Sequence, residues 1–252
     1  MNIIRFKYKD EILFGNFNQE KNTATIYEGT PFNGLFKTNK EVSLDKIEIM
    51  TPCDYSKAVC IGLNYRDHAI EFELPIPETP IVFIKPSTSA LAHNKTVIKP
   101  DMCKRLDYEA ELAVVIKKEA KNVKKDEVND YILGYTCAND ITARDLQPKK
   151  GQWTIAKGFD TFCPFGYVIN TEIDPSNLKI SSEVNNKIMQ ESNTNNLIFD
   201  VPFLVSYLSS VMTLLPGDII LTGTPGGISK MEKGDEVKVK IEGLPPLINK
   251  IG

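Results

Sequence analysis

The sequence predicts an α+β fold in which β-structure dominates and the sheets are mixed or antiparallel. Three observations support this prediction. Short runs rich in β-branched and aromatic residues recur along the 252 residues, and helical patterns are few. The strands and helices also do not alternate regularly, as they would in a doubly wound sheet. The length suits one large domain, or a large domain with a small appendage.

The N-terminal part, residues 1–53, is predicted to be a small β module. Its strand-like runs are residues 3–8, 12–17 and 23–27. Turn-forming residues separate these runs, as expected for short antiparallel strands. A boundary follows Pro52, so residues 54–252 are predicted to form the larger domain.

Strands also dominate the larger domain. Its strand-like runs are residues 58–61, 81–84, 112–116, 165–169, 219–222 and 237–241. The predicted helices are 67–73, 125–131 and 203–212. Pro216-Gly217, shortly after the third helix, is typical of a helix stop.

Composition excludes several classes of function. Lys and Arg number 30 against 33 Asp and Glu, a net charge of −3, and no basic stripe is present, so no nucleic-acid partner is expected. The longest apolar runs fall short of a membrane span, and the N-terminus lacks the apolar segment of a secretory signal. We therefore expect no membrane partner and a cytoplasmic location.

The cysteines and histidines exclude two further kinds of site. The five cysteines form no Cys-x-x-Cys pair, and their odd number argues against a disulfide framework, so they are expected to be reduced and structural. With two histidines in the chain, a multi-histidine zinc site is not expected.

Two glutamates, Glu109 and Glu111, stand at the start of an apolar run, and Asp140 ends another apolar stretch. In a strand, side chains two residues apart project from the same face, roughly 6–7 Å apart. Carboxylates this close in an apolar setting repel each other, and one protonates unless a positive charge compensates both. A set of carboxylate ligands favours Mg²⁺ or Mn²⁺, so the pattern indicates a divalent-metal site.

The same carboxylates have a second interpretation. Glu109 and Glu111 could line the solvent-facing side of an edge strand, and Asp140 could cap a helix. Because the pattern Glu-x-Glu is common, the motif by itself leaves both interpretations open.

His68 and Glu71 lie at i and i+3 of the first predicted helix and share one of its faces. A carboxylate beside an imidazole raises its basicity and orients it, as a water-activating base requires. A surface ion pair is the alternative. The proline-rich stretch that follows, 74–80, could hinge or stiffen a lid over the site.

Other polar residues stand at strand ends or in apolar surroundings. Lys85 leaves the strand-like run 81–84, Arg144 and Gln147 come soon after Asp140, Lys157 is embedded among apolar residues, and Thr224 lies in a Gly-rich turn. Such groups could grip a carboxylate or another anion. An exposed loop, an ion pair with a neighbouring acid, or a plain hairpin would explain them equally well.

Six segments, read in order, resemble the fumarylacetoacetate hydrolase family. They are GLNYRDHAIE (62–71), FIKPS (83–87), YEAEL (108–112), NDITARDLQ (139–147), KGFDT (157–161) and GDIILTGTP (217–225). The resemblance covers roughly residues 55–252. Each segment is weakly specific alone, but their common order is highly specific.

The resemblance implies a mixed β-roll or sandwich-like fold, usually a homodimer. It implies that Glu109, Glu111 and Asp140 hold Mg²⁺ or Mn²⁺, with Lys157 beside the metal. The family's substrates are small 2-oxo acids and their enols: acylpyruvates, fumarylpyruvate, oxaloacetate and the dienedioates of aromatic catabolism. The chain is more similar to the short bacterial, acylpyruvase-like members than to fumarylacetoacetase itself.

We therefore expect a metal-dependent enzyme that hydrolyses a C–C bond of an acylpyruvate-like substrate through a metal-stabilised enolate. His68, oriented by Glu71, would activate water, and Lys157 would add positive charge. The residues expected to hold the substrate are Arg144, Gln147, Thr224 and Lys85. Tautomerisation, isomerisation or decarboxylation would use the same enolate and stay open. A non-catalytic protein that binds an anionic metabolite is a more remote alternative.

Overall fold

The structure is a computed structural model that describes residues 1–71, 73 and 75–252. Strands hold 44% of the residues and helices 16%, and the sheets contain antiparallel and parallel pairs. The predicted β-dominated α+β fold is therefore confirmed. The predicted helix 67–73 and the predicted lid 74–80 include Phe72 and Leu74, which lie outside the described residues.

In the described part of the chain, the strands of the first half are β1 (Asn2–Tyr8), β2 (Glu11–Asn18), β3 (Thr23–Thr30), β4 (Gly34–Ser43), β5 (Glu48–Ile49), β6 (Lys57–Gly62), β7 (Ile81–Pro86), β8 (Ala90–Leu91), β9 (Thr96–Val97), β10 (Leu106–Asp107) and β11 (Ala110–Ile116). Those of the second half are β12 (Ile132–Asn139), β13 (Thr142–Ala143), β14 (Cys163–Pro164), β15 (Val168–Asn170), β16 (Lys179–Val184), β17 (Lys187–Asn193), β18 (Ile219–Leu221), β19 (Lys230–Met231), β20 (Glu236–Ile241) and β21 (Leu247–Ile251).

Helices are few and mostly short. The α-helices are α1 (Arg66–Glu71), α2 (Thr154–Lys157) and α3 (Val201–Val211). The 3-10 helices are Leu44–Lys46, Ser87–Ser89, Lys125–Tyr131, Arg144–Leu146 and Thr194–Asn196. Among the residues described, no helix has both the length and the apolar character needed to cross a membrane.

One large sheet connects the N-terminal strands to the rest of the chain. Its order is β4-β3-β2-β1-β15-β12-β11-β18-β6-β7, and β5 pairs with β1. The strands of the predicted N-terminal module therefore form one end of this sheet. The strands that carry the sequence motifs, β6, β7, β11, β12 and β18, lie together at the other end.

The centre of the large sheet is buried on both faces. Leu112, Val114 and Ile116 of β11 belong to one core cluster, and Ala113 and Val115 belong to the cluster on the opposite face. Because alternate side chains of a strand point to opposite faces, an uninterrupted apolar run suits a strand covered on both sides. The apolar sequence of β11 therefore follows from its central position.

A second sheet and the longest helix cover one face of the large sheet. The second sheet has the order β17-β16-β20-β21-β9. Side chains of β16, β20 and α3, including Ile180, Val239 and Leu204, belong to the same buried cluster as Leu112. The resulting layers form a sandwich, one of the two arrangements that the resemblance implied.

Several elements differ from the sequence predictions. Residues 125–131 form a 3-10 helix rather than an α-helix. The third predicted helix, 203–212, is instead Val201–Val211, because the Asp200 side chain accepts the Phe203 backbone N–H and starts the helix earlier. The predicted strand 165–169 is reduced to β15, which begins at Val168.

In the described part of the chain, five strands with five or more residues were not predicted: β4, β12, β16, β17 and β21. β16 and β17 are rich in polar residues and lack the aromatic and β-branched runs that the prediction used. Their hairpin did leave a signal, since Asn185 and Asn186 between them both adopt positive φ, at 51° and 65°. Asparagine tolerates this conformation, and two such residues in succession are typical of a tight hairpin turn.

Candidate metal and substrate site

The three predicted metal-ligating carboxylates converge because of the way two central strands pair. β11 and β12 are antiparallel neighbours in which Ala110 lies opposite Asn139. Glu109 precedes β11 and Asp140 follows β12, so both flank the same end of the pair, and Glu111 lies just inside it. One oxygen of each carboxylate lies within 4.8 Å of the corresponding oxygens of the other two.

Burial of these carboxylates decides between the two interpretations of the motif. Glu109 is 6% exposed, Glu111 is 1% exposed and Asp140 is 0% exposed. β11 lies inside the large sheet, between β12 and β18, so the interpretation as an edge strand is wrong. Asp140 leads into the short strand β13 rather than into a helix.

Glu109 is compensated by two cationic side chains. Its Oε2 lies 2.7 Å from the Lys157 Nζ, and its Oε1 accepts a hydrogen bond from the Arg144 guanidinium. Burial raises the pKa of the Glu109 carboxyl, but the charges of Lys157 and Arg144 outweigh burial and hold this pKa well below its usual range. Glu109 is therefore a carboxylate.

Asp140 lies between two buried lysines. The Lys157 ammonium donates to Oδ2 at 2.6 Å, and the Lys85 ammonium donates to Oδ1. Burial lowers the pKa of Lys157, but the charges of Asp140 and Glu109 raise it above its usual value. Lys157 is therefore held as a cation beside the carboxylates, and its Nζ also lies 5.0 Å from the centre of the Phe83 ring.

Glu111 receives the least compensation from the protein's own cations. Its Oε2 accepts the backbone N–H of Gly223 at 2.6 Å. Burial, followed by the nearby charges of Asp140 and Glu109, raises the pKa of Glu111 well above its usual range. A divalent cation would satisfy this carboxylate, and the oxygen-only donor set fits Mg²⁺ or Mn²⁺.

A cavity of about 690 Å³ opens onto the two glutamates, a size typical of small-molecule sites. The cationic residues on its wall are Arg105, Arg144, Lys149 and Lys157. The apolar residues on its wall are Ile61, Leu63, Phe83, Trp153 and Ile228. A site with both kinds of wall suits a small organic anion.

A glycine allows the tryptophan to approach the cavity wall. A Cβ atom on Gly62 would lie 2.6 Å from the Trp153 ring, which is closer than side chains can pack. The end of β6 therefore has no side chain where the indole packs.

The structure brings His68 and Glu71 together on one face of α1, and His68 lines the cavity. The His68 Nδ1 lies 3.6 Å from the Glu71 Oε2, and the same oxygen accepts the Gly227 backbone N–H at 3.0 Å. Glu71 thereby joins α1 to the loop that follows β18. Burial lowers the pKa of His68, and the charges of Glu109 and Glu71 partly offset this effect.

Three residues predicted to bind substrate, Arg144, Gln147 and Thr224, line the cavity. The Arg144 guanidinium donates to the Gln147 side-chain oxygen. The Thr224 hydroxyl donates to the Ala110 carbonyl oxygen at 2.9 Å and accepts from the Gln190 amide at 2.8 Å. These contacts hold the side chains in place, and their roles in substrate binding stay predictions.

Lys85 lies elsewhere than the sequence analysis expected. It is fully buried, donates to Asp140 and to the Ile141 carbonyl oxygen at 3.0 Å, and is not among the described residues that line the cavity. The alternative of an exposed loop is also wrong. The Lys85 ammonium therefore orients a predicted metal ligand, whereas a contact with substrate was expected.

Several residues around the site were not predicted from the sequence. Asp107 accepts hydrogen bonds from Arg105 and Arg144, and Asn64 anchors the loop that leads into α1. The sequence did contain a signal for Arg105 and Asp107. Positions 105, 107, 109 and 111 are all charged, and the residues between them are apolar or aromatic. No comparable pattern singles out Asn64.

Two family models match the chain. The model described as "Fumarylacetoacetate (FAA) hydrolase C-terminal" matches residues 57–252, and the model described as "Rv2993c-like, N-terminal" matches residues 1–52. Protein Rv2993c of Mycobacterium tuberculosis is 39% identical over 259 residues, which cover 100% of this chain and 98% of that protein. The mitochondrial oxaloacetate tautomerase Fahd2a of Rattus norvegicus is 45% identical over 206 residues, which cover 77% of this chain and 66% of that protein.

Solved structures with the same fold include enzymes of two reaction types. The 2-hydroxyhepta-2,4-diene-1,7-dioate isomerase of Mycobacterium marinum is 39% identical and superposes with a TM-score of 0.92, covering 100% of this chain and 98% of that one. The fumarylpyruvate hydrolase of Pseudomonas aeruginosa, solved in complex with Mn²⁺ and pyruvate, is 32% identical with a TM-score of 0.73. That match covers 77% of this chain and 88% of the hydrolase.

Proposed function

Because the chain belongs to the fumarylacetoacetate hydrolase family, we propose that it is a divalent-metal-dependent enzyme that moves a proton between the keto and enol forms of a small 2-oxo acid. The observation that carries this proposal is the buried convergence of Glu109, Glu111 and Asp140 beside Lys157, with the two glutamates and Lys157 on the wall of a cavity. Lys85, Lys157 and Arg144 compensate Glu109 and Asp140, but Glu111 has no such partner among the described residues, and a buried carboxylate without a compensating cation is costly. The cavity gives a small substrate access to the cluster.

A divalent cation held by the three carboxylates would polarise the carboxylate and 2-oxo oxygens of the substrate and stabilise the negative charge of its enolate. Lys157, fixed by Glu109 and Asp140, adds a permanent positive charge on the same side of the cavity. Arg144 is held in place by Gln147 and Glu109, so it can meet a substrate carboxylate without a further loss of side-chain freedom.

His68 supplies the proton-transfer group. Its imidazole lines the cavity, and Glu71 lies 3.6 Å from its Nδ1. Because its pKa lies below the ordinary histidine value, the ring is neutral at neutral pH and can accept a proton from the carbon next to the 2-oxo group. The proton then returns to the substrate at the alternative atom.

The choice of tautomerisation rests on the relatives. The protein from Mycobacterium marinum that matches the full length of this chain is an isomerase, and the Rattus norvegicus relative is an oxaloacetate tautomerase. Both reactions need an enolate and a proton shuttle, and neither needs a water nucleophile.

Hydrolysis of a C–C bond is the second candidate. The same His68–Glu71 pair could deprotonate a water molecule instead of a substrate carbon, and the relative from Pseudomonas aeruginosa is a fumarylpyruvate hydrolase. The two candidates share the metal-ligating carboxylates and differ in whether water reaches the substrate carbonyl group.

A substrate panel with ultraviolet detection tests the proposal. Oxaloacetate, acetylpyruvate, fumarylpyruvate and 2-hydroxyhepta-2,4-diene-1,7-dioate are each followed with Mg²⁺, with Mn²⁺ and with a chelator. We expect metal-dependent acceleration of enol–keto conversion without release of pyruvate. Release of pyruvate from acetylpyruvate or fumarylpyruvate would favour hydrolysis, and no acceleration with any compound would overturn the enzyme proposal.

Replacing Glu111 tests the metal site. We expect Glu111→Gln to lower bound metal and to reduce turnover by about a hundredfold, the scale typical for loss of a charge-stabilising group. Glu119 is exposed, so Glu119→Gln is a matched control that should change neither quantity. Unchanged metal content and turnover in Glu111→Gln would contradict the assignment.

A further inference from the structure

We propose that Arg105, held in place by Asp107, selects 2-oxo acids that carry a second carboxylate at the end remote from the 2-oxo group. Arg105 is a specificity-determining residue in this proposal, and Asp107 is a positioning residue. The inference rests on the proposed function, because the 2-oxo end of the substrate is taken to lie at Glu109, Glu111 and Asp140.

Asp107 is a buried carboxylate shared by two arginines. It is 0% exposed. Its Oδ1 accepts from the Arg105 Nε at 2.9 Å, and its Oδ2 accepts from the Arg144 Nε at 2.9 Å. Each arginine therefore donates its Nε–H to Asp107, which leaves its two Nη groups for other partners.

The two arginines use their Nη groups differently. Arg144 donates one to Glu109 and the other to Gln147, so this guanidinium is committed to the metal side of the cavity. Among the residues that the structure describes, no hydrogen-bond partner is recorded for the Nη groups of Arg105. Its side chain is 49% exposed, against 22% for Arg144, and it lines the same cavity.

The main chain around Arg105 is well anchored. The Arg105 backbone N–H donates to Asp145 at 2.9 Å, and its carbonyl oxygen accepts the Arg144 backbone N–H at 2.8 Å. β10, which follows at once, pairs with β13 and β19. An arginine with a fixed backbone and a fixed Nε loses less conformational freedom on binding an anion than a mobile surface arginine does.

The local charge also favours an anion. The two guanidiniums share the single negative charge of Asp107, and Glu109, the other carboxylate that contacts Arg144, is a predicted metal ligand. Lys149 adds a further positive charge to the cavity wall. The contacts run from Glu109 through Arg144 and Asp107 to Arg105, so the side chains of Arg144 and Asp107 lie between Arg105 and the carboxylate cluster in this series.

This order fits a substrate with charges at both ends. With the 2-oxo acid end at the carboxylate cluster, the free Nη groups of Arg105 face the remote end of the substrate. A carboxylate there can accept two parallel hydrogen bonds from a guanidinium, a geometry that neither a methyl nor a hydroxyl group can satisfy. The residues on the wall thus distinguish dicarboxylates from monocarboxylates of the same length.

Calorimetric titration of the Mn²⁺-loaded protein tests the inference without relying on turnover. The probes are 2-oxoglutarate and 2-oxopentanoate, which have the same carbon chain and differ in the second carboxylate. We expect 2-oxoglutarate to bind more tightly to the wild type. Arg105→Ala should weaken binding of 2-oxoglutarate by about tenfold and change binding of 2-oxopentanoate by less than about twofold.

Three further variants separate direct contact from general effects. Arg105→Lys keeps the positive charge but lacks the paired N–H donors of the guanidinium. It should therefore keep part of the preference for 2-oxoglutarate that Arg105→Ala loses. Asp107→Asn removes the charge that positions both arginines and should reduce the ratio of the affinities for 2-oxoglutarate and 2-oxopentanoate. General structural damage would instead weaken the binding of both probes. Lys104→Ala removes an exposed charge one residue away, outside the cavity lining, and should leave both affinities unchanged.

The outcomes distinguish this inference from the proposed function. If both probes bind and Arg105→Ala leaves the ratio of their affinities unchanged, Arg105 does not select the second carboxylate and only this inference fails. If neither probe binds the Mn²⁺-loaded wild type, the proposed 2-oxo acid function fails and the inference fails with it.

Discussion

The protonation state of His68 depends on opposing local effects. Burial lowers its pKa, and the negative charges of Glu109 and Glu71 raise it, with burial the larger effect. At this residue scale, Glu71 therefore has two consequences: it favours the protonated ring and it limits the orientations that the ring can adopt. Both are needed in a group that must accept a proton and return it.

Glu71→Gln is expected to change the pH profile in a defined direction. Removing the carboxylate charge lowers the pKa of His68 further, so the acidic limb of kcat/KM moves to lower pH. Loss of the orienting charge should also reduce kcat by about tenfold. The measurement is kcat/KM between about pH 4.5 and 8, the range in which histidine titrates.

Glu78→Gln is the matched control for this variant, because Glu78 is exposed and lies in the neighbouring segment. Its acidic limb should coincide with that of the wild type. An acidic limb that stays in place in Glu71→Gln would show that Glu71 does not influence the group that titrates.

At the scale of elements, Asn64 connects three segments around the site. Its side-chain amide donates to the Thr222 carbonyl oxygen at 2.7 Å and to the Phe199 carbonyl oxygen at 3.1 Å, and its oxygen accepts the Phe199 backbone N–H at 2.8 Å. Thr222 directly precedes Gly223, whose backbone N–H donates to Glu111. Asn64 thereby couples the loop before α1, the end of β18 and the segment before α3.

Asn64→Ala is expected to destabilise the protein by about 3 kcal/mol, because it leaves buried backbone groups at Phe199 and Thr222 without partners. Urea unfolding measures this loss. Activity should also fall, since the turn that holds Glu111 loses a support.

Asn177→Ala, at an exposed position, is the control and should stay within about 0.5 kcal/mol of the wild type. Equal stability of the two variants would contradict the coupling role of Asn64.

At the scale of the whole molecule, the candidate site draws charges from segments that are far apart along the chain. The three carboxylates lie in or next to β11 and β12, Lys85 comes from β7, and Lys157 comes from the end of α2. A cation bound to the carboxylates would therefore join segments that are distant along the chain. Binding to the folded state alone stabilises that state by mass action.

Mg²⁺ or Mn²⁺ should raise the melting temperature of protein that has been treated with a chelator. At about 100 times the dissociation constant, the expected stabilisation is about 2.7 kcal/mol. Differential scanning calorimetry with and without metal measures it. Asp140→Asn should abolish the shift, whereas Glu119→Gln should keep it. An unchanged melting temperature of the wild-type protein with both metals would contradict the metal site.

Much of the fold and of the candidate site could be predicted because the relevant patterns are local. The apolar run of β11 and the spacing of Glu109 and Glu111 involve neighbouring residues, and strand geometry relates such spacing directly to direction. The strands β16 and β17 escaped prediction because their polar composition becomes compatible with a strand only when β20 pairs with β16 and the core covers one face.

By itself, the sequence determined the β-dominated fold class, the carboxylate motif and the order of segments that resembles the family, because each depends on residues close together along the chain. Only the tertiary structure decided that Lys85 is buried against Asp140, 55 positions away, and that Gly223 supports Glu111, 112 positions away. The tertiary structure also decided that Asp107 joins Arg105 to Arg144. Contacts over such separations depend on strand pairing and packing, which fix distances that residue type and spacing leave open.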